Sequence, residues 1–223
     1  MERRKTDYEI KQQVLRELKW DSRIAWAQIG VDVHEGLVTL SGAVSSYANK
    51  AAAQQAAHRV AGVLDVANEI EVRPIGAFAH TDEEIARAVR HTLEWDALVP
   101  DERIRSTVSQ GWVTLEGDVD VWREREDAEK AVLQLAGVVG VINKITILPR
   151  DIDPDELRSE IEEALERRAD REAERLRIEV KNGAVELWGR VHSWQEKRAV
   201  LGSIGHMPGV LAVNEHLRID PYF

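Results

Sequence analysis

The chain of 223 residues has no cysteine, and therefore no disulfide, no thiolate nucleophile and no thiolate metal ligand. It also lacks an uninterrupted apolar run of about 18 residues, so we expect no membrane-spanning helix. The basic N-terminal stretch is not followed by an apolar segment. We therefore expect no signal peptide and a cytoplasmic location, or a periplasmic one only if a leader preceded this chain.

Basic residues are too few for a nucleic-acid surface. The chain carries 30 Lys and Arg against 40 Asp and Glu, a formal net charge of −10. Residues 1–76 are balanced at 10 and 10, so the whole acidic excess lies in 77–223. Nucleic-acid binding needs clustered Lys and Arg, so we expect no nucleic-acid partner and only weak general attraction to anionic lipid.

Motifs of catalysis are missing as well. The sequence has no GxSxG, no phosphate-binding P-loop and no GxGxxG, and its seven histidines form neither HxH nor HExxH. We therefore expect no enzyme, no catalytic residues, no cofactor and no metal site. Paired carboxylates on the helix around Glu162 are interpreted as a solvated, salt-bridged face.

A threefold internal repeat is the dominant feature of the sequence. Two glycines six residues apart, and a third twenty residues later, recur with offsets of 75 and 72 residues. Repetition at fixed spacing indicates repeated structural units. We interpret the glycines as turn and cap residues. They are Gly36, Gly42, Gly62, Gly111, Gly117, Gly137, Gly183, Gly189 and Gly209.

Each repeat begins with apolar residues at helical spacing, such as Ile10, Val14 and Leu18 after a candidate N-cap at Asp7. Alternating apolar residues then predict a hairpin that turns at the first glycine, with the second glycine ending the second strand. Second helices are predicted over 46–61, 122–136 and 194–206, each stopped by the third glycine. A third strand closes each repeat.

The predicted fold class is therefore α+β: three tandem α-β-β-α-β domains, each a three-stranded mixed sheet with two helices packed on one face. The predicted domains are residues 1–75, 76–150 and 151–223. Their short linkers predict units in contact rather than loosely tethered ones.

Two sequence patterns carry a family resemblance. The hairpin G-x-V-x-L-x-G-x-V and the ending G-V-x-x-V-x-N-x-I-x-V occur at 36–44 with 62–72, and at 111–119 with 137–147. The third copy, 183–191 with 209–219, is interpreted as having one deletion before Asn214. The chain resembles the BON domain family, named for bacterial osmotically inducible and nodulation proteins.

The resemblance implies a role in osmotic or envelope stress and proposed phospholipid binding. Members of the family also occur beside secretins, channels and ion-binding modules, and many are periplasmic. The family has no general set of catalytic residues.

Aromatic residues recur at two positions of the repeat. Tyr47, Trp122 and Trp194 begin the second helices, and Trp20 and Trp95 end the first helices. We interpret both sets as rings buried within their own repeat, joining strand to helix. The alternative is a row of interfacial anchors at a membrane.

Other residues are candidates for a membrane or partner contact. Trp112 and Trp188 do not recur and lie at the hairpins, so we expect them between repeats or against a partner. The first helix carries Lys5, Lys11, Arg16 and Lys19 beside Trp20. That combination suits an anionic surface, and the alternative is a solvated helix face.

The sequence thus leaves three hypotheses, and it does not fix the oligomeric state. The first is a soluble scaffold or sensor of stress or envelope homeostasis that binds a protein. The alternative is a peripheral phospholipid-binding protein. The outside alternative is a cation-binding protein that uses Asn68, Asn143 and Asn214, whose amides otherwise satisfy backbone groups at a bend.

Overall fold

The computed structural model describes residues 5–76, 79–96, 99–149, 152–168 and 176–220. Each repeat has the predicted order α-β-β-α-β. The first comprises α1 (Asp7–Trp20), β1 (Ile29–His34), β2 (Leu37–Val44), α2 (Tyr47–His58) and a third strand in two segments, β3 (Asp65–Asn68) and β4 (Glu71–Val72).

The second repeat comprises α3 (Asp82–Trp95), β5 (Ile104–Ser109), β6 (Trp112–Val119), α4 (Trp122–Leu133) and β7 (Gly140–Ile147). The third comprises α5 (Pro154–Arg168), β8 (Arg177–Lys181), β9 (Ala184–Val191), α6 (Trp194–Ile204) and β10 (Ala212–Ile219). The second helices end three, three and two residues earlier than predicted, because a turn precedes each third glycine.

The three sheets share one topology. The middle strand pairs antiparallel with the strand before it and parallel with the last strand of the repeat. Each repeat has its own core, in which alternate strand residues pack against both helices. Val14, Leu40 and Ala53 are fully buried in the first of these cores. The predicted fold class is confirmed.

A threonine is the N-cap of the first helix in two repeats. Thr6 is the N-cap of α1 and forms a capping box with Glu9, as Thr81 does with Glu84 in α3. The prediction of Asp7 as the cap was wrong because its carboxylate is used elsewhere. It accepts hydrogen bonds from the N–H groups of Glu35 and Gly36, at 2.8 and 3.0 Å.

The second glycine lies inside the middle strand rather than at its end. Gly42 is opposite Ile29, and β2 continues to Val44. A Cβ on Gly42 would lie 2.1 Å from the carbonyl oxygen of Gln28, and its φ is +116°. Gly42 therefore marks a close approach of two backbones. The predicted strand end was wrong because pairing with the third strand extends past this point.

The third repeat has no deletion. Glu215 is paired with Leu187 in the sheet, as Asn143 is paired with Leu115 in the second repeat. Its carboxylate accepts a hydrogen bond from the N–H of Leu217 at 3.2 Å. The predicted deletion before Asn214 was wrong. It followed from matching Asn214 to Asn143, whereas the residue at the position of Asn143 in the third sheet is Glu215.

Candidate functional site

Trp20 and Trp95 are the most exposed tryptophans of the described chain. They are the last residues of α1 and α3, and 85% and 78% of their surface is exposed. The interpretation of these two rings as buried within their repeats was therefore wrong. An indole left in water at the same position of two repeats is a candidate for an interaction surface, because aromatic residues are enriched at protein interfaces.

The surroundings of Trp20 are basic and aromatic. Arg16 and Lys19 are exposed, and the Lys19 ammonium lies 5.5 Å from the centre of the Trp26 ring. Trp26 is itself exposed. We call Arg16, Lys19, Trp20 and Trp26 the α1 corner.

Lys11 does not belong to this corner. Its ammonium is 3.4 Å from a carboxylate oxygen of Asp32 on β1. It also lies nine residues before Trp20, roughly 13 Å along the helix axis. Of the basic residues predicted for an anionic surface, the structure therefore groups only Arg16 and Lys19 with Trp20.

The corner is bounded on one side by a closed ion-pair network. Arg23 donates two side-chain hydrogen bonds to the Asp21 carboxylate, at 2.9 and 2.7 Å, and Arg59 pairs with Glu17 and Asp21. The hydrogen bond from Arg23 is the main cause that holds the pKa of Asp21 far below its usual range. These arginines are engaged within the protein, which leaves Arg16 and Lys19 as the basic side chains beside Trp20.

The equivalent position in the second repeat has different neighbours. The Trp95 ring stacks on His91 with 5.4 Å between ring centres. Arg90 donates to the carbonyl oxygens of Asp101 and Ile104 and pairs with Glu94. Trp95 is thus similarly exposed, but the described residues around it include no exposed basic pair like that of the α1 corner.

Trp112 and Trp188 lie on the open faces of their own sheets, away from the helices. Trp112 covers Gly140, where a Cβ would lie 2.5 Å from the ring. Trp188 lies beside Arg177 and His216, with ring centres of the aromatic pair 5.4 Å apart. Contact with a partner remains a prediction for both rings.

Tyr47, Trp122 and Trp194 are half-buried, as predicted, and the Trp122 and Trp194 rings contact other repeats. The Trp194 ring stacks on His58 of the first repeat, with centres 3.7 Å apart and planes 10° apart. Trp122 packs against the core of the third repeat, and a Cβ on Gly205 would lie 2.7 Å from it. The predicted partial burial is thus confirmed, but for Trp122 and Trp194 the prediction of their own repeat as the covering surface was wrong.

Tyr47 faces the second repeat. Its pKa is raised by burial and then by the charge of Glu129 on α4. A cavity of about 370 Å³ beside it is lined by Arg23, Ser46, Asn49 and Gln55 of the first repeat and Gln134 and Ala136 of the second. The starts of all three second helices thus meet other repeats.

The three contacts follow one rule. His58, Leu133 and Gly205 each lie four residues before the third glycine of their repeat, at or next to the end of the second helix. Tyr47 faces the second repeat, Trp122 the end of α6, and Trp194 the end of α2. The backbone N–H of Arg123 also donates to the carbonyl oxygen of Gly205 at 2.9 Å. The second helices therefore form a ring in the order first, second, third, first.

The asparagine amides satisfy the backbone. Asn68 donates to the carbonyl oxygen of Lys50 and accepts from the N–H of Ile70, and Asn143 does the same with Arg125 and Ile145. Asn214 donates instead to Glu186 on the neighbouring strand, at 2.7 Å. Within the described ranges no group of three His, Cys, Asp or Glu side chains is placed to hold a metal ion.

The described helices are also too short or too polar to cross a bilayer.

Sequence reasoning missed one residue of the contacts between second helices, His58. No pattern could have marked it, because its equivalents Leu133 and Gly205 share no chemistry with it.

Comparison with known proteins points to one family. The family model described as "BON domain" matches residues 6–74, 81–149 and 153–221. Osmotically-inducible protein Y of Escherichia coli (strain K12) is 30% identical over 122 residues, which are 52% of this chain and 60% of that protein. The chain therefore matches only about three fifths of that relative's length.

Among solved structures, the chain is similar to CdsD, a structural protein of the type III secretion system of Chlamydia trachomatis. The match to one structure of CdsD covers 95% of this chain and 92% of the CdsD chain, at 13% identity and a TM-score of 0.27. A structure of its C-terminal domain covers 97% and 100%, also at 13% identity and 0.27.

Proposed function

The chain belongs to the BON domain family, and we propose that it is a non-catalytic binding module of osmotic-stress or envelope homeostasis. In this proposal it is a scaffold or sensor that recognises a protein partner. The name of the osmotically inducible relative supports the stress context. A cytoplasmic location stays a prediction.

One observation carries the proposal: Trp20 and Trp95 are exposed at equivalent positions of two repeats. Aromatic residues are enriched at the centres of protein interfaces, where a ring buried on binding supplies much of the affinity. The net charge of −10 and the acidic neighbour of Trp95, Glu94, favour a protein partner over a lipid surface as the shared ligand of both sites.

Site-specific photocrosslinking in cells tests this proposal. A photoreactive amino acid replaces Trp20 or Trp95, and Tyr8, an exposed aromatic on the same helix as Trp20, serves as the matched control position. We expect one discrete protein adduct at both tryptophan positions, increasing with external osmolarity, and little or none at Tyr8. Equal yields at all three positions, or no protein adduct at either tryptophan, would contradict it.

Peripheral phospholipid binding is the second candidate, and the α1 corner favours it. Arg16 and Lys19 supply charge, Trp20 and Trp26 supply apolar rings, and the first repeat alone has balanced charge. Such a combination binds an anionic membrane surface by attraction plus shallow insertion.

Liposome co-sedimentation of the full chain separates the two candidates. Lipid binding predicts sedimentation with phosphatidylglycerol-containing vesicles, and weaker sedimentation with purely zwitterionic ones. Binding should be lost in Lys19→Glu and Trp20→Ala and kept in Lys11→Glu and Trp95→Ala, the matched controls. The absence of binding to either vesicle would remove this candidate and leave the protein partner.

A further inference from the structure

The contact between the first and third repeats contains unsatisfied polar atoms. The His58 and Trp194 rings are stacked there, and His58 Nε2 and Trp194 Nε1 are both buried without a hydrogen-bond partner among the described residues. A buried polar atom without a partner weakens the contact that buries it. The contact between the second and third repeats includes a backbone hydrogen bond from Arg123 to Gly205.

Of the three equivalent residues at the ends of the second helices, only His58 can titrate. The equivalent residues, Leu133 and Gly205, carry no ionisable group. Protonation of an imidazole that is stacked on an indole and partly buried creates a charge where solvation is poor. Acid can therefore charge the helix-end residue of the first–third contact, which it cannot do at Leu133 or Gly205.

Charged groups from two elements face His58. Lys197 and Arg198 of α6 disfavour its protonation, and Asp65 of β3 favours it more weakly than Arg198 disfavours it. Lys197 is held in place by Glu215, with 2.8 Å between nitrogen and oxygen. Burial, followed by the charges of Arg198 and Lys197, lowers the pKa of His58 from 6.5 to about 4 against the opposing effect of Asp65.

We propose that the His58–Trp194 contact, which we call the seam, opens when His58 is protonated. The third repeat then separates from the first. The other two contacts of the ring contain no histidine at this position and hold the second repeat to both neighbours. Opening would expose Trp194 and the end of α2, two surfaces that the closed ring covers.

The direction of the pH dependence follows from linkage. In the open ring, His58 would titrate near its ordinary value of 6.5, and in the closed ring its pKa is about 4. The open form therefore binds the proton more tightly, so the closed form is fully favoured above pH 6.5 and loses ground as the pH falls towards 4. Because His58 is half-exposed and solvent screens its charge, we expect the open-to-closed ratio to rise on the order of tenfold across this window.

Fluorescence energy transfer across the seam tests the proposal. The chain has no native cysteine, so dyes can be placed at Ala61→Cys in the first repeat and Ala199→Cys in the third, both exposed positions. Transfer efficiency is measured on the full chain between pH 7.5 and 4, with far-ultraviolet circular dichroism to verify that the helices stay folded. We expect the efficiency to fall between pH 6.5 and 4 while helicity is retained.

Two substitutions remove the titration and keep the packing. His58→Phe keeps a ring against Trp194, and His58→Leu copies the residue of the second repeat. Both should keep the efficiency constant over the same window, and His58→Lys should lower it already at pH 7.5. His34→Gln, a change at an exposed histidine of β1, is the control and should behave as the unaltered chain.

An equal fall of the efficiency in His58→Phe and in the unaltered chain would overturn the seam, because other groups would then cause the opening. No change in the unaltered chain down to pH 4 would also overturn it. If His58→Phe does not fold, His58→Leu provides the same comparison.

Discussion

The carboxylate of Asp7, in the first turn of α1, accepts a hydrogen bond at 3.0 Å from the backbone N–H of Gly36, 29 residues further along the chain. It also accepts one from Glu35 at 2.8 Å. Asp82 holds Gln110 and Gly111 in the same way, at 2.8 and 2.9 Å. The start of the first helix is thereby joined to the hairpin turn in two repeats, whereas the third has Pro154 at this position.

Asp7→Ala should lower the free energy of unfolding by about 1–2 kcal/mol, because two charge-assisted hydrogen bonds to backbone N–H groups are lost. Urea denaturation followed by circular dichroism measures this. Asp155→Ala, a first-turn aspartate of the third repeat that makes no such contact with a hairpin in the described structure, is the control and should change stability by less than about 0.5 kcal/mol. Equal effects of the two changes would contradict the role of Asp7.

Two glycines of the third repeat should respond to alanine with opposite signs. A Cβ at Gly202 would meet nothing within 4 Å, whereas one at Gly205 would lie 2.7 Å from the Trp122 ring. Gly202→Ala, inside α6, should raise the melting temperature because alanine is favoured over glycine in a helix by about 1 kcal/mol. Gly205→Ala should lower it, because the ring of the second repeat must move. A rise in both would show that the Trp122 contact tolerates extra volume.

Trp122→Ala should lower the free energy of unfolding by about 2–4 kcal/mol, somewhat below the loss for a fully buried tryptophan. Because the ring packs on the core of the third repeat, the loss should appear as earlier unfolding of that repeat and not only of the second. Hydrogen exchange of β9 and β10 amides measures this. Trp112→Ala, on the open face of the second sheet, is the matched control and should leave exchange in the third repeat unchanged.

The Asp21–Arg23 pair should stabilise the fold only above acidic pH. Its hydrogen bonds lower the pKa of Asp21 in the folded chain below the ordinary value of 3.8. A lowered carboxyl pKa contributes stability that is present above pH 3.8 and is lost as the pH falls through the folded value. The difference in unfolding free energy between the unaltered chain and Asp21→Asn should therefore be constant from pH 7 to 5 and shrink below pH 4. A difference that does not change down to pH 2 would show that the hydrogen bonds, and not the charge, are responsible.

The fold could be predicted from the sequence because its signals are local. The first glycine of each frame sits at a turn where the preceding residue also has positive φ, +51° at Glu35 for example, and such a turn favours glycine strongly. Apolar spacing in the first helix likewise follows from the side that the sheet covers, so Ile10, Val14 and Leu18 are all buried.

The sites could be predicted only in part, because they depend on which repeat faces which. Trp122 and Trp194 stand out as recurring rings, but a sequence cannot show that a ring is covered by a neighbouring repeat and not by its own. Trp20 has the same kind of pattern and is exposed. The partners of the charged side chains could not be predicted either. Lys11 pairs with Asp32 because β1 lies beside α1, and nothing in the sequence of α1 predicts that pairing.

The ring of second helices also bears on how many repeats such a chain can have. Each contact joins two different surfaces, the start of one helix and the end of another, which is the head-to-tail type that builds either rings or open fibres. With three repeats every start meets an end inside a single molecule. A chain of only two repeats would leave one aromatic side chain at a helix start and one helix end uncovered. Each of these surfaces could then be covered only by another molecule. Three repeats therefore suffice to cover the start of every second helix within one molecule.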